Sequence, residues 1–143
     1  MTETTSGKSD LMATIASLSP VLQPGTFVFC SVLHNADAGD AMSVAVGSFI
    51  EDEGLSLILP RTEAVRLGLI FDMTVRQITL MVYSQLDGVG LSATVSSALA
   101  EKGIPANIVA ATQHDHIFVP SRKADKAMEV LRELQKSAQD QFA

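Results

Sequence analysis

The sequence predicts an α+β protein of two related halves, each an antiparallel sheet carrying helices on one face. Three observations carry this. Short runs rich in β-branched and aromatic residues alternate with stretches of helical spacing along the chain. From Arg76 onward the order reads strand, helix, strand, strand, helix. Two strand ends, LSLILPRTEA and HIFVPSRKADKA, align Pro60 with Pro120 and Ala64 with Ala124, which points to a duplicated unit.

Each element has its own local reason. Leu11, Ile15 and Leu18 recur at helical spacing in DLMATIASL, and Ser19-Pro20 is a stop signal. TFVFCSV (26–32), SVAVGSFI (43–50) and LSLILP (55–60) read as strands, separated by the turn-rich HNADAGD and EDEG. RTEAVRLG (61–68) reads as a short helix closed by its glycine. RQITLMVYS places Ile78, Leu80 and Val82 on one face of a strand, with Thr79, Met81 and Tyr83 on the other. Leu91, Val95, Ala98 and Leu99 then form a helical stripe ending at Lys102, Gly103 and Pro105. ANIVAAT (106–112) and HIFVP (116–120) are too close together for anything but a hairpin. Ser121 is placed to cap a last helix with the stripe Ala124, Ala127, Met128, Leu131 and Leu134, fraying from Gln139.

The repeat is imperfect. FCS at Phe29–Ser31 meets VYS at Val82–Ser84 at an offset of 53 rather than 60. The difference falls where the first half has only the loop-like LHNADAGDAM, so that half is expected to lack its first helix. The expected division is a disordered tail over 1–10, a divergent half over 11–72 and a C-terminal domain over 73–143.

Composition narrows the function. At 143 residues and 47% hydrophobic, the chain can bury a core without staples. Its single cysteine, Cys30, lies in an apolar run and reads as a small buried hydrophobe. Lys+Arg 10 against Asp+Glu 16 opposes the counterion-release binding that nucleic acids require. No apolar run approaches the length of a membrane span, and MTETTSGKSD lacks the features of a signal peptide. The expectation is a cytoplasmic protein with neither a nucleic-acid nor a membrane partner.

The richest stretch is YSQLDGVGLSATV, with G-x-G-x-x-A from Gly88 through Gly90 to Ala93. A dinucleotide site would also need a parallel βαβ unit and an acidic residue about twenty positions on. The next acidic residue after the following strand is Asp115, and it lies across a hairpin. What remains is a strand, a permissive turn and a helix whose first amides, on Gly90, Leu91 and Ser92, lack intrahelical partners. Such a terminus attracts an anion. The dipole contributes about 0.3 to 2 kcal/mol and each charge-assisted hydrogen bond roughly 1.5 to 3. Micromolar binding needs about 8 kcal/mol, so an ammonium partner and apolar burial must add to this. Asp87 and Asp115 are the available carboxylates, and an α-amino acid has both charges at a suitable separation. On the residues alone, glycines required only for φ > 0 or close packing remain the simpler reading.

The run from Ser84 to Leu131 resembles the C-terminal unit of the ACT-domain family, small amino-acid-binding regulatory modules of ferredoxin-like βαββαβ order. Its most specific pieces are DGVGLSA, GIPANIVA and HDHIFVP, and the resemblance extends from Leu11 to Leu134. The whole chain is similar to short tandem ACT proteins, and more distantly to the ACT repeats of arginine sensors and aspartate kinases. The resemblance implies a non-catalytic module that binds a free amino acid at the loop between first strand and first helix. Residue by residue, that implicates Asp87, Gly88, Val89, Gly90, Leu91 and Ser92, with Asn107, Ile108, His114, Asp115 and His116 as neighbours. It implies no cofactor and no catalytic residue.

A metal reading of His114-Asp115-His116 supplies two imidazoles, which are too few without help from His34, Asp37 or Asp40. No metal is expected. A small metal- or nucleotide-dependent enzyme using this hairpin or the glycine turn is the alternative class. Exposed sheet edges, with Met81 and Tyr83 turned away from the helices, predict a homodimer.

Overall fold

In a computed structural model, the described residues are 10–34, 38–83 and 85–142. Of the expected tail over 1–10, residues 1–9 lie outside them and Asp10 opens a helix; Asp37 and Ser84 also lie outside. In chain order the elements are α1 (10–16), β1 (Pro20–Leu22), β2 (Phe27–Val32), α2 (Ala38–Val44), β3 (Gly47–Ile50), β4 (Leu55–Pro60) and α3 (Arg61–Arg66). They continue with β5 (Thr74–Leu80), α4 (Leu91–Glu101), β6 (Asn107–Ala110), β7 (Asp115–Pro120), a 3-10 turn (Ser121–Lys123) and α5 (Ala124–Phe142). The result is the mixed α+β architecture of antiparallel sheets and helices that the residue pattern predicts.

The chain divides into two compact units, one of Pro24–Arg76 and one joining the segment through Gln23 to Gln77–Ala143. In the first, β4 pairs antiparallel with both β3 and β2, and β2 pairs with the start of β5 through Phe27↔Val75 and Val28↔Thr74. Alternation along β2 and β4 turns Val28, Cys30, Leu55, Leu57 and Leu59 into one core with Ala41 of α2 and Ala64 of α3. Burial pushes the Cys30 thiol above its ordinary range, as suits a residue that packs rather than reacts.

Two expectations for this half need correction. Its first helix is present: α2 occupies Ala38–Val44, and Ser43 and Val44 belong to it rather than to a strand. The strand expected over 43–50 is only β3, Gly47–Ile50. A seven-residue helix that buries only Ala41 leaves no apolar stripe to read. The repeat itself is visible in the backbone. Pro60 and Pro120 each end a strand and lead into a helical turn, with φ/ψ of −57°/137° and −52°/136°.

In the second unit, β6 pairs with β7, β7 neighbours the later part of β5, and β5 pairs with β1 through Ile78–Leu80. The order β6-β7-β5-β1 is that of a ferredoxin-like sheet in which the edge strand comes from upstream in sequence. The Pro20 segment, read as a helix stop, is that strand. Ile78, Leu80, Ile117 and Val119 meet Leu91, Val95 and Leu99 of α4 and Ala127, Met128 and Leu131 of α5 in one core. Leu99, Ile117 and Leu131 are fully buried, so truncating any of them to alanine should cost about 2 to 5 kcal/mol.

Ser121 does not cap α5. It lies inside the 3-10 turn, and its buried Oγ has no hydrogen-bond partner among the described residues. Nor does α5 fray at Gln139. Ala138 is buried, and Gln135 and Gln139 each donate an Nε2 hydrogen bond of 3.0 Å to the Ala16 carbonyl, which ties the last turns to α1.

Candidate functional site

Between β5 and α4 the chain turns through Gln85 to Gly90. The Gly88 amide donates to the Gln85 carbonyl at 3.0 Å, closing the turn. Gly90 occupies the N-cap of α4 with φ 105°, a left-handed conformation that favours glycine. A Cβ there would lie 2.8 Å from Leu11 Cδ2, the far end of a half-buried side chain that can turn aside, so the backbone angle is the stronger demand for glycine. The Gly90 carbonyl accepts both the Thr94 amide at 2.9 Å and the Thr94 hydroxyl at 2.8 Å. Among the described residues, the amides of Gly90, Leu91 and Ser92 have no hydrogen-bond acceptor, as the first turn of a helix dictates.

A cavity of about 100 Å³ opens beside these amides. Gln85, Leu86, Gly88, Gly90, Leu91, Ser92 and Ala93 line one side, and Ala110 and Asp115 the other. The hairpin register explains the second pair. Ala110 and Asp115 face each other at the closed end of β6 and β7, where the Ala111 amide donates to the His114 carbonyl at 3.1 Å.

Asp115 is the unusual member. It is 8% exposed, and no hydrogen bond to its carboxylate is found among the described residues. Burial pushes its carboxyl above the ordinary range, and the neighbouring His116 offsets this in part. A buried carboxylate thus stands across a small cavity from unpaired backbone donors. That arrangement offers an acceptor for a cation and donors for an anion within one small space.

The structure gathers only some of the residues that the sequence nominates. Gly88, Gly90, Leu91, Ser92 and Asp115 line the cavity, while Asp87 and Val89 sit in the same turn as exposed residues and do not. Asn107 opposes Phe118, three positions back along β6 from Ala110 and so about 10 Å from the cavity wall. Ile108 packs against the core.

His114 lies in the hairpin, with a buried Nδ1 that has no partner among the described residues. His116 follows Asp115 in a strand and therefore faces the opposite side of the sheet. There its Nδ1 accepts from Thr79 Oγ1 at 3.0 Å and Gln77 Nε2 at 3.1 Å, and Gln23 Nε2 donates to Thr79 at 3.0 Å. An Nδ1 that accepts requires the neutral imidazole. Burial pushes the His116 pKa down, His114 pushes it further, and Asp115 opposes both.

Four lining residues, Gln85, Leu86, Ala93 and Ala110, go unnominated by the sequence. The hairpin register would reveal Ala110, because it fixes which residue opposes Asp115. Among the described residues no three His, Cys, Asp or Glu side chains converge to hold a metal, and no helix is long and apolar enough to cross a membrane.

Comparison with known proteins gives a consistent result. Residues 6–76 match one ACT-domain model and residues 74–133 match another. A solved structure of a Vibrio cholerae protein of unknown function is 39% identical, with a TM-score of 0.79 over 90% of this chain and 98% of that one. An Agrobacterium tumefaciens protein is 18% identical, with a TM-score of 0.69 over 81% of this chain and 87% of its own. The ligand-free regulatory subunit of aspartate kinase from Thermus thermophilus is 8% identical, with a TM-score of 0.59 over 82% of this chain and 98% of that one. The last two likenesses speak for the fold alone. No curated protein matches the chain.

Proposed function

This chain belongs to the ACT-domain family, as two such domains in tandem, and we propose that it is a non-catalytic regulatory module that binds a free amino acid beside the N-terminus of α4. ACT domains are typically regulatory and ligand-binding, so the class of function follows from membership. The amino acid is inferred from the site.

One observation carries that inference. Asp115 is buried, accepts no hydrogen bond among the described residues, and lines the same cavity as the unpaired amides of Gly90, Leu91 and Ser92. A carboxylate with little access to water and no protein partner is disfavoured as a charge, and groups perturbed in this way cluster at ligand and catalytic sites. An α-amino acid supplies the partner: its carboxylate takes the helix amides and its ammonium meets Asp115. Apolar contact with Leu86, Leu91, Ala93 and Ala110 adds the burial that the polar groups alone do not supply. Binding then acts on the rest of the molecule only through its differential affinity for two arrangements of the modules.

The module is read as cytoplasmic and homodimeric. Met81 and Tyr83, 46% and 61% exposed, offer apolar surface for a second copy. A thermal-shift screen of the twenty common amino acids tests the main claim. One or a few should raise the melting temperature, because a ligand of the native state stabilises it; a flat screen at millimolar concentrations would contradict the reading.

A further inference from the structure

We infer that β3 is a docking edge for an extended segment of another protein, one with basic residues followed by apolar ones, which adds to the sheet as a further antiparallel strand. This is independent of the amino-acid reading and concerns the unit of Pro24–Arg76. Its support is the hydrogen-bond pattern of the β3–β4 hairpin, the side chains along it and the charge at its tip.

Glu51 and Gly54 close the hairpin by exchanging both backbone hydrogen bonds, 2.9 Å from the Glu51 amide and 3.3 Å from the Gly54 amide. Along an antiparallel ladder such pairs alternate with pairs whose polar groups point outward. Two residues back, Phe49 therefore bonds Ser56, while Ser48 and Ile50 turn their amides and carbonyls away from β4. Among the described strands β3 pairs with β4 alone, and both Ser48 and Ile50 are exposed. Their donors and acceptors stand in register along an open edge.

Edges are commonly blocked against pairing by a charge, a proline or a bulge. Val46–Ile50 has neither charge nor proline. Its start is bulged, because the Val46 amide reaches the Ile58 carbonyl at 2.8 Å although Gly47 is the residue opposite Ile58. From Ser48 to Ile50 nothing blocks the edge.

The side chains there are apolar. Phe49 and Ile50 are 73% and 76% exposed. The register puts Phe49 and Gly47 on the face away from the core, with Ile58 and Phe29 beyond them. An added strand thus sets one side chain beside Phe49 and the next but one beside Gly47, where a missing side chain leaves room. Backbone bonds supply affinity in such an addition, and alternate side chains supply specificity.

Charge selects the occupant. Glu51, Asp52 and Glu53 follow β3 directly, and all three are exposed. A second copy would bring its own net charge of −6 to this tip, whereas a basic segment complements it. Antiparallel addition lays the N-terminal end of the incoming strand beside the carboxylates, so its basic residues precede its apolar ones.

Fluorescence anisotropy of a labelled peptide, Lys-Arg-Ile-Val-Thr-Phe-Thr, titrated with the full chain tests the inference. The peptide should bind, and its Glu-Glu counterpart should bind at least about tenfold more weakly at low salt, with the gap closing as salt is added. In the NMR spectrum the Ser48 and Ile50 amides should move. Ile50→Pro removes an outward donor and keeps the bonds to β4, so it should lose about tenfold in affinity at a nearly unchanged melting temperature.

Glu51 accepts a hydrogen bond from the Ser56 hydroxyl, so charge is reversed at its neighbours instead. Asp52→Lys with Glu53→Lys should invert the preference between the two peptides. No binding at millimolar peptide, equal binding of both peptides, or full binding to Ile50→Pro would each overturn the inference. Ser48 and Ile50 amides that shift with protein concentration alone would give the edge to a second copy and overturn it as well.

Discussion

The backbone angle at Gly90 complicates the obvious test of the site. Any side chain at φ 105° is strained, and a Cβ there also has to displace the terminal methyl of Leu11. Gly90→Val should therefore destabilise the fold by about 1 to 3 kcal/mol whether or not a ligand exists, as chemical denaturation would measure. Leu11→Ala in the same chain should recover only a small part of that loss, because it frees the methyl contact but not the φ strain.

Asp115 gives the cleaner experiment. A folded-state pKa raised above the ordinary 3.8 contributes stability that is present below that value and lost as pH rises through the raised one. At neutral pH the free protein therefore carries an unfavourable charge. Asp115→Asn removes it at nearly constant volume, so the variant's melting temperature should rise by roughly a few degrees while its response to amino acids disappears. A lower melting temperature would show that the carboxylate has a structural partner.

His116 works in the opposite direction. Its folded pKa lies below the ordinary 6.5, so its contribution is present above that value and lost as pH falls through the lowered one. Melting temperatures of the native chain should decline on acidification below about pH 6.5. His116→Gln, which cannot be protonated, should flatten that slope.

At the scale of elements, what was legible in the sequence depended on length and periodicity. β4 has the bounds that LSLILP suggests, and α4 starts at Leu91 with Leu91, Val95 and Leu99 buried as their spacing requires. α2 and β1 were not legible. One buries a single alanine, and the other is three residues long and owes its place to pairing with Ile78–Leu80. Tertiary contact makes these elements, so no local pattern announces them.

The candidate site divides in the same way. The glycine turn and Asp115 could be read from the strand-turn-helix pattern. His116 was nominated with Asp115 although strand alternation sends neighbours to opposite faces. The full length of α5 has a similar cause, since Gln135 and Gln139 earn their helical turns by holding Ala16. Replacing both glutamines with alanine should speed amide hydrogen exchange across residues 10–16 more than anywhere in β7.

For the whole molecule, the acidic balance of 16 carboxylates against 10 basic residues keeps copies apart at long range, so any self-association must come from apolar surface. Light scattering during size exclusion should give a dimer, and Tyr83→Glu should return it to a monomer without lowering the melting temperature by more than about a degree, as befits an exposed site. A monomer at every concentration would remove the dimer from the account.

The central claim is local, however: an amino acid lies between the first amides of α4 and Asp115. The most direct measurement is the backbone amide NMR spectrum of the full chain during titration with glycine. The Gly90, Leu91 and Ser92 signals should move together and saturate, and should stay still in Asp115→Asn. Signals that hold their positions in the native chain while every α-amino acid is added, or that move equally in the variant, would contradict it.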